Sequence, residues 1–354
     1  MNILLISFSI GYSMGDNFRT IASHLAQRNN TYVLTNEGIT CEDVKTNNIC
    51  CVKFDKTRPL DFINPSNYIK IQHYISNTKY DIAFVYSPHP VNSFVYLCLD
   101  LSRTFVYVHD HIEHSGVRLL DKLSSRINLF WAYHKVSTII VSCNHIKDEI
   151  LRLKLIEDPD RIKVVYLGLL DNLVFPYSAM TEKIDVLFFG RIEYYKGLDV
   201  LVETAKLMPN INFVIAGKGD LNRTFGISHL PTNCTHINRF IPNKELARLI
   251  QNALLVVLPY RDATGTQTIQ SVFYYSKPII ATNVGCFPEY IDNNVDGIIV
   301  RQENPTDLFN AIDRILKDDD LRLDMGRNGK RKLNTIFSND NITKQYEKVF
   351  SRNI

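Results

Sequence analysis

The chain has 354 residues, of which 45% are hydrophobic and 22% are charged, and its formal net charge is +3. This composition is that of an ordinary globular protein, and it excludes a disordered chain, a collagen-like fibre and a disulfide-stabilised miniprotein. The excess of basic residues is small and collects in neither half of the chain, which argues against a dedicated nucleic-acid-binding protein.

The N-terminal segment enters an apolar run at once, from Ile3 to Ile6, without a basic leader, so we predict no signal peptide. No apolar run approaches the ~20 residues that cross a bilayer. The seven cysteines include no Cys-x-x-Cys pair, and we therefore predict neither a disulfide framework nor a structural zinc site. These features predict a cytoplasmic protein, with contact at the inner face of the cell membrane as an open alternative.

Short β-branched or aromatic runs alternate with segments of helical period in the first half of the chain. This alternation is typical of a parallel sheet with crossover helices. The predicted strands are residues 3–8, 32–35, 82–86, 104–108, 138–142 and 162–166. The predicted helices are residues 18–28, 119–136 and 144–153, and Ser142 is a candidate N-cap for the last of them.

The same alternation restarts in the second half of the chain. Its predicted strands are residues 186–189, 213–216, 254–258, 278–281 and 297–300. Its predicted helices are residues 198–207, 244–251, 269–275, 306–316 and 321–335, followed by a last helix at 341–350. Residues 170–183 between the two halves are rich in polar and turn-forming side chains.

The pattern predicts an α/β protein with two Rossmann-like, doubly wound parallel-sheet domains that face each other across a cleft. We assign residues 1–170 to an N-terminal, acceptor-side domain, 171–183 to a linker and 184–335 to a C-terminal domain that binds the donor. Residues 336–354 are expected to form a helix that returns to the N-terminal domain. In such folds ligands bind at the carboxyl ends of the strands.

Two basic residues mark the loop after the strand at 186–189. Arg191 and Lys196 lie five positions apart between Gly190 and Gly197. A guanidinium fork and a compact ammonium can both bind one diphosphate, and the glycines let the backbone turn close to a ligand. A solvated basic loop explains the spacing equally well.

A second polar loop, residues 259–267, follows the strand at 254–258. Thr264, Gly265 and Thr266 precede a predicted helix, whose N-terminus is a natural anion site. An ordinary N-cap made by one of the two threonines is the alternative. The nearby Gly217-Lys218-Gly219 lacks the third glycine of a dinucleotide fingerprint, so a dehydrogenase is not predicted.

His109 follows the strand at 104–108 and is crowded by two further histidines, His111 and His114. Metal ligation is one interpretation, but neighbouring residues at a strand end point to opposite sides. Solvated loop histidines are another interpretation, which suits His114. The run Asp318-Asp319-Asp320 lies between two predicted helices, where it is most simply a helix cap. We therefore predict no essential metal.

A set of short motifs in the second half resembles, in its order, the nucleotide-sugar half of family 4 glycosyltransferases, which have the GT-B fold. The resemblance extends from about Phe105 to the C-terminus, and Gly11 and Gly15 are weakly compatible with the family's glycine loop. The motifs are Phe189-Gly190-Arg191, Lys196-Gly197-Leu198-Asp199, residues 214–219, Leu258-Pro259-Tyr260, residues 277–285, Pro288-Glu289 and Asp296-Gly297, preceded by residues 141–143 and 164–168.

This resemblance implies a hexosyltransferase that moves a sugar from a UDP- or GDP-linked donor, with retention of configuration and without a metal or other cofactor. The acceptor would be a glycan or a lipid-diphosphate-linked glycan in cell-surface polysaccharide synthesis. Arg191 and Lys196 would stabilise the leaving diphosphate, and His109 would contact the donor sugar as a neutral imidazole. The other donor-binding residues would be Gly15, Gly190, Gly217, Phe240, Ile241, Thr264, Gly265 and Thr266.

The sequence departs from the family at one point. The family's two glutamates, separated by seven residues, would fall at Ala263 and Ser271, and neither is acidic. Asp262 is then the candidate carboxylate, and Gln270 and Ser271 are the candidates for binding the ribose hydroxyls. The departure leaves two alternatives open: a nucleotide-sugar-binding protein that has lost catalysis, and a GT-B sugar epimerase.

The predicted helix at 119–136 contains Phe130 and Trp131, with Lys122, Arg126 and Lys135. A basic amphipathic helix of this kind can lie on an anionic membrane surface. A crossover helix that packs on the core and exposes a solvated face is the simpler interpretation, and we favour it.

Overall fold

The structure, a computed structural model, describes residues 1–9, 12–54, 59–109 and 119–352. For residues 12, 13, 59, 60 and 119–124 it describes the backbone alone. The chain divides into two compact units, Met1–Tyr166 with Asn339–Ile354, and Leu167–Ser338.

The first unit is built on one parallel sheet. Its strands are β1 (Asn2–Ser7), β2 (Asn30–Asn36), β3 (Ile49–Val52), β4 (Ile82–Val85), β5 (Thr104–Tyr107), β6 (Thr138–Val141) and β7 (Ile162–Val164). Its helices up to residue 152 are α1 (Tyr12–Ala26), α2 (Cys41–Val44), α3 (Pro65–Asn77), α4 (Asn92–Cys98), α5 (Leu119–His134) and α6 (Asn144–Arg152). The strand order is β3-β2-β1-β4-β5-β6-β7. Every residue of β4, β5 and β6 is buried, as expected for strands covered on both faces.

The second unit repeats this plan. Its strands are β8 (Ile184–Phe189), β9 (Phe213–Ala216), β10 (Cys234–Ile237), β11 (Ala253–Leu258), β12 (Ile279–Thr282) and β13 (Gly297–Val300). Its helices are α7 (Leu198–Leu207), α8 (Leu221–Phe225), α9 (Asn243–Asn252), α10 (Thr268–Tyr274), α11 (Phe287–Tyr290), α12 (Pro305–Lys317) and α13 (Asp319–Thr335). The strands are parallel in the order β10-β9-β8-β11-β12-β13.

Each sheet grows outwards in both directions from a central pair of strands. In the second unit β8 pairs with β11, and Val186 lies opposite Leu255. The chain order reverses at this pair, and parallel sheets bind ligands beyond the carboxyl ends of the strands at such a reversal. The loops after Phe189 and after Leu258 are therefore neighbours. The predicted α/β architecture with two Rossmann-like parallel sheets is confirmed.

The last helix, α14 (Asn339–Ser351), belongs to the first unit. Its Phe350 ring lies 5.5 Å from the ring of Phe84 and 5.0 Å from that of Phe105, so it packs over the middle of the sheet. Arg28 after α1 forms an ion pair of 2.8 Å with Asp340. Apolar packing and this pair hold the chain end in the first unit.

The structure contains two strands that the pattern did not predict, β3 and β10. Both lie at an outer edge of their sheet, where one side of the strand is less covered. Strand β10 reads Cys-Thr-His-Ile and contains no continuous apolar run, whereas β3 reads Ile-Cys-Cys-Val and is an apolar run of only four residues. A smaller correction concerns α6, whose N-cap is Cys143 and not Ser142.

Residues 171–183, the predicted linker, lie in the second unit. The Tyr275 hydroxyl donates to the Leu173 carbonyl at 2.6 Å and accepts from the Phe175 amide at 3.1 Å. The Gln251 side-chain amide donates to the carbonyls of Phe175 and Pro176 at 3.1 and 3.0 Å. These bonds attach the segment to the C-terminal ends of α9 and α10.

None of the seven cysteines, all of which the structure describes, forms a disulfide. In the described part of the chain no helix is both long enough and apolar enough to cross a membrane.

Candidate functional site

Lys196 is a buried cation at the carboxyl edge of the second sheet. Its side chain is 9% exposed, and its Nζ atom lies 2.5 Å from the position that a Cβ atom on Gly190 would take. The ammonium lies 5.1 Å from the ring centroid of Tyr260 and 5.8 Å from that of Phe188. Among the described residues no carboxylate lies within 4 Å of this ammonium, and the Glu193 carboxylate, which is paired with Arg191, acts on it only from a greater distance.

Burial and, to a smaller extent, the positive charge of Arg191 lower the pKa of Lys196 to about 8, against a still smaller opposing effect of the Glu193 carboxylate. Desolvation disfavours the charged form of a lysine, and a nearby anion reverses that effect. Arg191 itself is three-quarters exposed and lies 3.6 Å from Glu193. Of the two predicted diphosphate ligands, Lys196 is therefore buried and Arg191 lies at the surface.

The glycines of this edge are required by close contacts between backbones. A Cβ atom on Gly217 would lie 1.9 Å from the Gly190 carbonyl oxygen, and one on Gly197 would lie 2.0 Å from the carbonyl oxygen of Pro259. The Gly190 amide donates to the Ala216 carbonyl at 2.9 Å. The loops after β8, β9 and β11 thus touch one another directly, which forms a continuous surface beyond the strand ends.

Arg261 joins three loops of this edge, and the sequence analysis did not identify it. Its guanidinium lies 2.6 Å from Asp199 at the start of α7 and 2.8 Å from Glu303 after β13. It also donates to the Tyr194 carbonyl at 3.0 Å and lies 4.4 Å from the Tyr194 ring centroid. The pKa of Arg261 is raised, mainly by its hydrogen bond to Asp199. Its partners lie 62 and 42 residues away, so no local sequence signal reveals them.

The loop after β11 presents a mixture of exposed and buried groups. Asp262 is exposed, whereas Thr264 is 8% exposed. The Thr266 hydroxyl oxygen accepts from the Thr268 amide at 3.2 Å, at the start of the seven-residue helix α10. Gly265 between the two threonines is half-buried. The N-cap position of α10 is Gln267, so neither threonine is the N-cap that the alternative predicts, although Thr266 satisfies the amide of the first helical residue.

The two candidates for ribose binding lie inside the unit. Gln270 is 0% exposed, and its side-chain amide donates to the Leu167 carbonyl at 2.9 Å. Ser271 is 1% exposed, and its hydroxyl donates to the Gln267 carbonyl at 2.9 Å. Both polar groups thus bond to backbone carbonyls of the same unit, and neither side chain reaches the surface.

An exposed aromatic ring follows β10 on the same edge. Phe240 is 66% exposed, and the adjacent Ile241 is 9% exposed. Arg239 is held by Glu245 at 2.8 Å and keeps this segment at the start of α9. An exposed phenylalanine on an ordered loop offers a flat apolar face to a planar ligand.

In the first unit His109 follows β5, as predicted, and is half-buried. Its ring stacks on Tyr107 at 6.2 Å, and Tyr107 stacks on Tyr86 at 4.8 Å. The Asn17 amide donates to the Tyr86 hydroxyl. Gly15 was expected in the family's glycine loop, but it lies within α1, which begins at Tyr12. Gly11 lies outside the described residues.

The proposed metal alternative falls mostly outside the described residues, because His111 and His114 are not among them. In the described part of the chain no group of three His, Cys, Asp or Glu side chains is arranged to hold a metal ion. Asp318 accepts a hydrogen bond of 2.9 Å from the Leu321 amide as the N-cap of α13, so its predicted capping role is confirmed.

Residues 172–332 match the model of the family Glycosyl transferases group 1. The match lies within the second unit and includes the loops after β8 and β11. The second unit is therefore similar over most of its length to group 1 glycosyltransferases, in agreement with the predicted resemblance.

Three curated relatives are also glycosyltransferases by name. An uncharacterized glycosyltransferase of Methanocaldococcus jannaschii is 28% identical over 61% of this chain and 61% of its own length. The alpha-D-kanosaminyltransferase of Streptomyces kanamyceticus is 30% identical over 40% of this chain and 39% of its own. The N,N'-diacetylbacillosaminyl-diphospho-undecaprenol alpha-1,3-N-acetylgalactosaminyltransferase of Campylobacter jejuni is 27% identical over 47% and 44%. The matched segments thus cover less than two thirds of each of these relatives.

Two solved structures share the whole architecture. The sucrose-phosphate synthase of Thermosynechococcus elongatus has a TM-score of 0.75 at 15% identity and covers 99% of this chain and 98% of its own. HepE of Anabaena, solved in complex with UDP-glucose, has a TM-score of 0.74 at 15% identity and covers 99% and 100%. The predicted GT-B fold is confirmed.

Proposed function

We propose that this protein is a glycosyltransferase that moves a hexose from a UDP- or GDP-linked donor to a glycan or lipid-diphosphate-linked acceptor. We propose further that it retains the anomeric configuration, needs no metal and acts in cell-surface polysaccharide synthesis. The observation that carries the proposal is the buried ammonium of Lys196, which forms no ion pair with a described carboxylate and lies at the strand-order reversal of the segment that matches group 1 glycosyltransferases.

The chemistry of the transfer explains such a lysine. When the bond between sugar and phosphate breaks, negative charge develops on the leaving nucleoside diphosphate. A desolvated cation that is already in place stabilises that charge more strongly than a solvated one. A buried lysine without a counter-ion is costly in the free protein, and a diphosphate beside it would remove that cost.

The neighbouring groups can complete a donor site. In our proposal the side chain of Arg191 moves from the surface to bind the same diphosphate. Gly190 and Gly217, which have no side chains, leave room for that diphosphate. The Thr264–Thr266 turn adds hydroxyl and amide groups, and the exposed ring of Phe240, above the buried Ile241, lies against the base. Gln270 and Ser271 serve as supports for the loop after β11, since both are bonded to backbone carbonyls.

The relatives support the finer parts of the proposal. HepE was solved with UDP-glucose, which supports a UDP-sugar donor. The name of the Campylobacter protein specifies a diphospho-undecaprenol acceptor, which supports a lipid-linked one. That name and the name of the Streptomyces protein specify alpha transferases, which supports retention from an α-linked donor.

Other roles follow the sequence analysis. His109 would hydrogen-bond a hydroxyl of the donor sugar, Asp262 would be the carboxylate near the reacting sugar, and Gly15 would border the donor. Phe130 and Leu97, on the adjoining helices α5 and α4, are 52% and 73% exposed. Exposed apolar side chains on neighbouring helices are consistent with our proposal of peripheral membrane contact.

A nucleotide-sugar-binding protein without catalysis is the second candidate. Its support is that position 263 is a buried alanine and that position 271 is a buried serine bonded to Gln267. This candidate predicts binding of the nucleotide sugar without turnover. Slow hydrolysis of a donor by the purified protein, detected as release of UDP or GDP, would exclude it.

The test measures binding of UDP and GDP to the wild type and to Arg191→Ala, Lys196→Ala and the double variant. We expect the double variant to lose at least tenfold in affinity, since two charge-assisted contacts are removed. Lys206→Ala is the control, because Lys206 is exposed and paired with Glu203 on α7. Unchanged affinity in the double variant would refute the diphosphate site. A mass-spectrometric screen of UDP- and GDP-sugars with lipid-diphosphate acceptors, with and without EDTA, then tests donor, acceptor and metal dependence.

A further inference from the structure

A cavity of about 390 Å³ opens on the second unit at the edge of the sheet opposite to Lys196. Its wall includes Phe175 and Tyr177, which precede β8, and Lys277, which precedes β12. Lys277 and another wall residue, Gln251, each stand two residues before the start of a strand, β12 and β11 respectively, so the cavity lies at the amino ends of these strands. Because β8 has six residues with a rise of ~3.3 Å each, the cavity lies roughly 20 Å from the loop after β8. It is therefore separate from the candidate donor site.

Two lysines give the cavity a positive charge. Lys330 on α13 donates to the Tyr274 carbonyl at 2.8 Å, and its ammonium lies 3.6 Å from the Tyr274 ring centroid. The backbone amide of Lys277 donates to the Val272 carbonyl at 3.2 Å, but its ammonium donates to no described side chain or backbone group. Burial lowers the pKa of both lysines, and the guanidinium of Arg322 lowers that of Lys277 further. No described carboxylate pairs with either ammonium.

The Tyr274 carbonyl, at the end of α10, accepts one hydrogen bond from the Lys330 ammonium and none from the Lys277 ammonium. A lysine near a helix C-terminus is favourable by itself, which explains why Lys330 is tolerated there. It does not explain why Lys277, half-buried and next to another cation, lacks an acidic neighbour. An anion that enters the cavity would supply one.

Aromatic rings form the rest of the wall. Tyr274 and Tyr275 meet edge to face with centroids 4.9 Å apart. Tyr177 is 72% exposed, so its ring stands at the mouth of the cavity. The side-chain amide of Gln251 forms hydrogen bonds with backbone groups of residues 175–178, and these bonds hold that side of the wall in place. Rings beside ammonium groups suit a ligand that combines a flat or apolar ring with an anionic group.

We propose that this cavity is a second binding site, which takes a small organic phosphate. The phosphate binds the ammonium groups of Lys277 and Lys330, and the ring of the ligand packs on Tyr177 and Tyr274. Sugar phosphates and nucleoside monophosphates share this chemistry. A volume of about 390 Å³ falls in the range of sites for small ligands.

The experiment titrates the full chain with glucose 1-phosphate, UMP and inorganic phosphate in separate arms by calorimetry, with the donor site saturated by UDP. We expect one of the two organic phosphates to bind more tightly than inorganic phosphate. Lys277→Met should weaken that binding about tenfold, the loss of one hydrogen bond to a charged group. Tyr177→Ala should weaken binding of the organic phosphate and leave inorganic phosphate unaffected.

Two controls separate this site from the donor site and from unfolding. Lys196→Ala should bind the organic phosphate as the wild type does, whatever its effect on UDP. Lys206→Met, which replaces an exposed lysine of the same unit, should leave the affinity for the organic phosphate unchanged. Tyr177→Ala should have the melting temperature of the wild type, because the Tyr177 ring is exposed. The proposal is overturned if no probe binds at millimolar concentration, if Lys277→Met binds normally, or if inorganic phosphate alone binds.

Discussion

The Nζ atom of Lys196 occupies the space in which a side chain at position 190 would begin. It lies 2.5 Å from the ideal Cβ position of Gly190, whose φ angle is +132°. Gly190→Ala therefore introduces a strained backbone and displaces the ammonium. We expect a loss of at least tenfold in UDP affinity, measured by calorimetry, together with a lower melting temperature.

Gly226→Ala is the matched control for this variant. Gly226 also has a positive φ angle, +72°, but a Cβ atom there would contact nothing within 4 Å. It should lose about 1 kcal/mol of stability and retain full UDP affinity. Equal UDP affinity of Gly190→Ala and the wild type would contradict the assigned role of the ammonium.

Lys196→Met should stabilise the free protein while it weakens donor binding. The folded pKa of about 8 lies below the ordinary 10.5, so the unfolded chain binds the proton more tightly. The wild type is therefore destabilised at all pH values below about 8, and this cost disappears as the pH rises towards 10.5. Urea unfolding should show the variant more stable by up to ~3 kcal/mol at pH 7, with a smaller difference at pH 10. If the variant were less stable than the wild type at pH 7, the buried ammonium would not destabilise the folded protein, and the prediction would be wrong.

Binding of UDP should depend on pH through the same group. The charged form of Lys196 binds the diphosphate, and the free protein loses that charge above a pKa of about 8. We expect the dissociation constant for UDP to be nearly constant between pH 7 and 7.5 and to rise above pH 8, approaching tenfold per pH unit. Lys196→Met should bind weakly with no rise over the same range. A wild-type constant that does not change up to pH 9.5 would contradict the prediction.

Arg261 should be needed to position the loops of the donor site. Arg261→Met removes the bonds to Asp199, Glu303 and the Tyr194 carbonyl. We expect a loss of about 1–3 kcal/mol in unfolding free energy, with weaker UDP binding, and partial rescue of both by Arg261→Lys. Thermal melts and UDP titrations measure the two effects.

Arg301→Met is the control for the Arg261 variant. Arg301 forms a two-bond pair with Asp307 at 2.6 and 2.8 Å, but its side chain is 77% exposed. Exposed pairs contribute little, so the variant should lose less than about 1 kcal/mol and bind UDP normally. If the Arg261 and Arg301 variants lost equal amounts of stability and of UDP affinity, the contacts of Arg261 would not be needed to position the loops of the site.

The periodicity of apolar residues predicted most of the strands and many of the helices. It failed where contacts with distant residues, and not the local pattern, determine the structure. Strands buried on both faces are continuous apolar runs, and α7 was predicted with its observed bounds, Leu198–Leu207. Strand β10 was missed because Cys-Thr-His-Ile contains no continuous apolar run, and β3 was missed because Ile-Cys-Cys-Val is a short run that periodicity alone does not assign to a strand. The residues taken for a linker are rich in turn formers, yet they bond to Tyr275 and Gln251 across the second unit.

The alternation of strands and helices and the order of glycine and basic motifs could be predicted from the residues alone, because both can be recognised in short stretches of the chain. The sequence also placed Arg191 and Lys196 on one loop. The folded structure was needed to show that Lys196 is buried and Arg191 exposed, that Arg261 pairs with residues of distant loops, and that Gln270 faces inwards. Burial and pairing depend on side chains brought together from positions far apart, and that information is absent from any local stretch of sequence.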